Sequence, residues 1–192
     1  MKLGNLIFYK NIPEFGSWLQ RWVSNTIYSH VSIIAGYNRN IGKLMEFDAS
    51  YFVRFRSFEH RRPEHMDILA VNATREIKVQ ALINVIDAYE GMSYGYIQWL
   101  TTALRFLFEW MGFKGVKSWN ILWGWGVFCS ELVYYYLMEI AIQMEVSDEP
   151  PNKRMQWHLI KRHLLTFNPD IFVPQDIIDM VDIFSVLRLN AD

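Results

Sequence analysis

The chain contains a single cysteine, Cys129, and it heads the clearest helical repeat in the sequence: Cys129, Leu132, Val133, Tyr136, Leu137, Ile140 and Met144. A thiol in a first helical turn meets unpaired N–H groups and the positive end of the helix dipole, which stabilise a thiolate. That is an environment for a nucleophile, although a lone inward-facing cysteine is more often inert core. Two upstream polar residues weigh toward chemistry. His30 and Glu46 interrupt segments that otherwise read as core-forming strands, Tyr28-Ser29-His30-Val31-Ser32-Ile33-Ile34 and Leu44-Met45-Glu46-Phe47-Asp48-Ala49. A carboxylate between Met45 and Phe47 must be paired or face outward. On neighbouring strands, Glu46 would accept from one ring nitrogen of His30 while the other faces Cys129, which gives a nucleophile, a base and an orienting acid. Asp48 shares the strand face of Glu46, and Glu46 is taken as the orienting acid.

Other candidates carry less. Ser130 adjoins Cys129, but its side chain points about 100° away around a helix, so both cannot face His30. His60, Glu64 and His65 lack the HExxH spacing and read as a charged loop. His158 and His163 are off a shared helical face, among Lys153, Arg154, Lys161 and Arg162, and read as a solvated basic segment. Those four cations within ten residues could meet an acidic partner or a membrane surface. No metal or organic cofactor is expected.

These residues need elements to hold them. Leu6–Lys10, His30–Gly36, Lys43–Ser50 and Met66–Val71 read as strands, with Tyr51–Phe55 continuing or pairing with the third. Trp18, Leu19, Trp22 and Val23 make one stripe of a short helix. Ile77 to Tyr89 is a helix ending near Gly91, Gly95 to Trp110 a second and more apolar one, and Cys129 to Met144 the clearest. Asp148–Asn152 breaks that helix, and Phe172–Leu189 gives a short helix and a last strand. Strands first and helices afterwards describe an α+β domain, an antiparallel sheet packed against helices with the nucleophile at a helix N-terminus. At 192 residues the chain is one domain, 1–192.

Composition sets the limits. With 52% hydrophobic and 20% charged residues the chain folds, and 19 basic against 20 acidic residues give a net charge of -1, without the basic field that nucleic-acid binding requires. Tyr96 to Val116 is interrupted by Gln98, Arg105, Glu109 and Lys114 and does not read as a membrane span. The apolar run at the N-terminus is shorter than a signal-peptide core, so a cytoplasmic product is expected. Aromatic residues at 16%, with 8 Trp, fill the core or line an apolar groove for substrate.

In its order of motifs the sequence resembles the circularly permuted branch of the NlpC-like, papain-related cysteine hydrolases, in particular its YiiX/YebB-like members. The residues that carry the resemblance are Ser29-His30-Val31-Ser32-Ile33, then Met45-Glu46, then Phe128-Cys129-Ser130-Glu131-Leu132-Val133. Gly4-Asn5-Leu6-Ile7-Phe8, Ser93-Tyr94-Gly95-Tyr96 and Asn168-Pro169-Asp170-Ile171 extend it over nearly the whole chain. Asn5 and Gly95 depart from it, standing where an aspartate is typical. The resemblance implies a permuted papain-like domain in which the Cys129 thiolate attacks an amide or ester carbonyl, His30 serves as base and then acid, and Glu46 holds the imidazole. The Cys129 backbone N–H would help to bind the oxyanion, with Tyr28 a candidate side-chain donor. Expected substrates are peptide or cell-wall-type amides. The alternatives are an acyltransferase or thioesterase acting on lipid acyl groups, for which the aromatic segment Tyr96 to Phe113 offers a surface, and an idle binding module of the same fold.

Overall fold

The computed structural model describes residues 1–10, 27–50, 52–58, 66–93, 95, 108, 111–112, 127–169, 172, 174–184 and 186–189. Period-2 alternation builds the sheet. In β1 (Leu6–Lys10), Leu6 and Phe8 enter the large core shared with the helices, while Ile7 and Tyr9 belong to a smaller cluster with Ile34 and Phe58. The next strands are β2 (Tyr28–Asn38), β3 (Lys43–Ala49), β4 (Val53–Ser57), β5 (Met66–Val71) and β6 (Leu187–Leu189). They form one antiparallel sheet in the order β4-β3-β2-β1-β5-β6. The segment expected to continue or pair with β3 pairs with it, as β4.

Four helices are described: α1 (Arg75–Tyr89), α2 (Cys129–Glu145), α3 (Pro151–Leu164) and α4 (Pro174–Ile183). The stripe headed by Cys129 is buried throughout, but Ser130, Glu131, Tyr134 and Ala141 are buried too. The reason is position: α2 lies between α1 and α3 and against β2 and β3, so the sheet covers one side and two helices cover the others. An α+β domain is therefore what the structure shows, a six-stranded antiparallel sheet packed against four helices among the described residues.

Helix α3 is a correction. The basic segment at 153–163 is not simply solvated, because Trp157, Ile160 and Leu164 fall at helical spacing and are fully buried. The cations occupy the remaining faces, and Pro151 is tolerated at the helix start because its missing N–H would be unpaired there anyway. The expected helices at Trp18–Val23 and Gly95–Trp110 lie outside the described residues, apart from isolated positions in the second. No described helix is long and apolar enough to cross a membrane.

Candidate active site

A bulge near the start of β2 aims the histidine. Tyr9 lies opposite His30 but Lys10 lies opposite Tyr28, so Ser29 is an extra residue in the ladder. Tyr28 and His30, two apart, therefore point to opposite faces: Tyr28 joins the helix-side core beside Phe8, and the His30 ring lies beside Tyr9. The β2–β3 ladder closes at Ile33 opposite Phe47. Two residues further along, the Val31 backbone and the His30 ring lie near enough to the Cys129 thiol to shift its titration. Cys129 is 1% exposed, in the first turn of α2.

The acid on the ring is Asp48. His30 Nε2 lies 3.1 Å from Asp48 Oδ2, which leaves Nδ1 as the nitrogen available to the thiol. The expected partner, Glu46, is displaced by register: it lies opposite Ile34, four residues from His30, or about 13 Å along the strand. Asp48, on the same face and two residues nearer, is within diagonal reach. Glu46 instead accepts from the Tyr9 hydroxyl, from Ser32 Oγ at 2.7 Å and from Arg56 Nε at 2.6 Å. Arg56 Nε also lies 3.0 Å from Asp48 Oδ2. One guanidinium thus bridges the two carboxylates, and both acids are buried, Asp48 fully.

This setting favours an ion pair of the thiol and the imidazole. Burial alone would push His30 down, but the Cys129 sulfur and the Asp48 carboxylate outweigh it and raise His30 to about 10. Burial pushes the Cys129 thiol up, and the His30 charge and hydrogen bond, with the Val31 N–H, more than reverse that, so the thiol lies below its ordinary range. Arg56 is raised: burial disfavours its charge, and Asp48 and Glu46 hold it. Both directions favour a thiolate beside an imidazolium whose far nitrogen is anchored to a carboxylate, the state from which a cysteine attacks a carbonyl carbon.

Other residues singled out in the sequence fall elsewhere. The Tyr28 hydroxyl donates to Asp67 Oδ2 at 2.5 Å, on which Lys10 also closes at 2.6 Å, so it is committed to a pair on the helix-side face and is not an oxyanion donor in this arrangement. Ser130 Oγ donates to the Phe172 carbonyl at 2.5 Å, away from His30. His158 and Lys161 pair with Glu145 at 3.2 and 2.7 Å, Lys153 pairs with Glu149 at 3.1 Å, and His163 packs on Phe167 and Phe184. Much of the basic segment is therefore engaged within the chain. Among the described residues no group of His, Cys, Asp and Glu is arranged to hold a metal ion. His60, Glu64, His65 and the aromatic segment at 96–107 lie outside the described residues.

Arg56 and Tyr9 were not singled out in the sequence. The signal for Arg56 was present: Glu46-x-Asp48 and Arg54-x-Arg56 are period-2 pairs of opposite charge across a short connection, and a hairpin sets Arg56 opposite Glu46. Tyr9 carried no such signal, because an aromatic residue in an apolar strand reads as core. No protein-family model matches the chain, and no curated protein matches it in sequence.

Proposed function

We propose that the chain is a thiol-dependent hydrolase of amide substrates, built on a permuted papain-like domain, with Cys129 as nucleophile, His30 as base and acid, and Asp48 in the orienting role that the sequence suggested for Glu46. One observation carries this reading: the thiol in the first turn of α2 and the ring of His30 lie near enough to shift each other's titration, and the ring's Nε2 meets a fully buried carboxylate at 3.1 Å.

In the reaction the Cys129 thiolate adds to the substrate carbonyl carbon, and the oxygen takes the electron pair. The Cys129 backbone N–H, in the unpaired first turn, is suited to hold that oxyanion. Collapse expels the amine, to which the His30 imidazolium gives its proton, and a thioester remains. His30, now neutral, removes a proton from water as the water oxygen attacks the thioester. Loss of the thiolate then frees the carboxylic acid and restores the ion pair. Asp48 keeps the imidazole in the tautomer with Nδ1 toward sulfur and stabilises its charged form.

Trapping the thioester tests this reading. The intact chain is incubated with two panels, peptide and cell-wall-type amides and fatty acyl esters, and analysed by mass spectrometry after acid quench. An acyl adduct on Cys129 from the amide panel, absent in Cys129→Ser and accompanied by free amine, is the expected result. Adducts from acyl esters alone would replace the amidase with an acyltransferase or thioesterase. No adduct from either panel, together with no labelling of Cys129 by small electrophiles, would leave a binding module.

A further inference from the structure

Asn5, one of the two departures from the resembling pattern, stands buried just before β1, and its Oδ1 accepts from the Val71 N–H and from Lys78 Nζ, both at 3.4 Å. Lys78 is only 7% exposed, and its other acceptor is the Val71 carbonyl at 3.2 Å. A buried ammonium is ordinarily paired with a carboxylate. Here both acceptors are neutral, and the charges that act on it, Lys2 and Lys153, have its own sign and add to burial in lowering its pKa. Lys78 borders a cavity of about 540 Å³, within the size range of small-molecule sites. Lys2, Arg75 and Lys78 line it together with an apolar wall that includes Leu3, Ala35 and Leu44, and among the described residues none that lines it is acidic. The first-turn N–H groups of α1 open nearby without a side-chain cap from Thr74. Along β2, Ala35 is five residues from His30, or about 16 Å, so the cavity is separate from the thiol site.

We propose that this cavity binds an organic phosphate monoester, its dianionic head set among Lys2, Arg75 and Lys78 and its stem against Leu3, Ala35 and Leu44. The head supplies the countercharge that Asn5 does not give Lys78. Three cationic residues on one cavity match a dianion better than a carboxylate, and the apolar wall gives the stem a surface that inorganic phosphate cannot use. The proposal does not depend on the chemistry assigned to Cys129.

The test is titration calorimetry on the full chain with hexyl phosphate, with hexanol and inorganic phosphate as controls. Saturable binding of hexyl phosphate, tighter than either control, is expected. Arg75→Gln removes an exposed cation of the site, and Asn5→Asp gives Lys78 a carboxylate of its own. Each should weaken hexyl phosphate at least tenfold, and Asn5→Asp should also raise the Tm of the free protein. Vesicles of phosphatidylcholine with and without phosphatidic acid separate the two sources of such a head: binding that requires phosphatidic acid identifies a lipid, and saturation by hexyl phosphate without vesicle binding identifies a soluble ester. Hexyl phosphate binding no tighter than hexanol, or unchanged within twofold in both variants, would overturn the proposal.

Discussion

At the scale of single residues the account turns on two carboxylates two positions apart. Asp48 touches the His30 ring, whereas Glu46 touches Tyr9, Ser32 and Arg56. Asp48→Asn should keep the fold yet lower turnover or labelling of Cys129 by about tenfold or more, since a neutral amide stabilises imidazolium poorly and can select the wrong tautomer. Glu46→Gln should have the smaller effect, because it acts through Arg56. A larger loss from Glu46→Gln, at unchanged Tm, would return the orienting role to Glu46. The ion pair also sets a pH profile for stability. His30 is raised from 6.5 to about 10, so its contribution is fully present below 6.5 and is lost as pH rises through 10. Cys129 is lowered from 9.0, so its contribution is present above 9.0 and is lost as pH falls through the lowered value. Together they make the stabilisation vary with pH, the His30 part declining above 6.5 and the Cys129 part declining below 9.0. Urea unfolding of wild type and Cys129→Ala across this range should show a stability difference with that shape. A difference that does not change with pH would mean that no ion pair forms.

At the scale of elements, legibility followed periodicity. The face of α2 could be read because Cys129, Leu132, Tyr136 and Ile140 repeat at helical spacing, and β1 because the four apolar or aromatic residues before Lys10 suit a pleated, buried strand. Helix α3 was hidden: its three buried residues, Trp157, Ile160 and Leu164, are outnumbered by charged neighbours that dominate the local composition. The acid was misassigned for a different reason. Both carboxylates lie on one face of β3, and the choice depends on where β2 sits along it, which hairpin register fixes and a strand's own sequence does not. The bulge at Ser29 was likewise invisible, since nothing in Tyr28-Ser29-His30 marks an extra residue. The burial of α3 is directly testable. Trp157 is fully buried and donates to the Asn72 carbonyl at 3.3 Å, so Trp157→Ala should cost about 3–5 kcal/mol in chemical denaturation. A loss below about 1 kcal/mol would show a surface helix.

At the scale of the whole molecule, the sheet and α2 bring together residues about a hundred positions apart in sequence, His30 and Asp48 from the strands and Cys129 from the helix. Neighbouring groups in this arrangement serve packing and charge at once. Gly4, with φ of 75°, leaves no room for a Cβ beside the Tyr136 hydroxyl and the Lys78 side chain, and Tyr136 donates to its carbonyl at 3.0 Å, which ties the turn before β1 to α2. The central claim is that these elements hold Cys129 as a thiolate against an imidazolium. Because the chain has one cysteine, ¹³Cβ-cysteine labelling gives a single NMR signal whose shift reports thiol ionisation, independent of substrate and of access to the buried sulfur. In wild type the signal should titrate below the ordinary 9.0 of a thiol, and in His30→Ala the inflection should move above it, with burial no longer opposed. A wild-type signal that stays in the thiol position through pH ~8 and does not respond to His30→Ala would contradict the account.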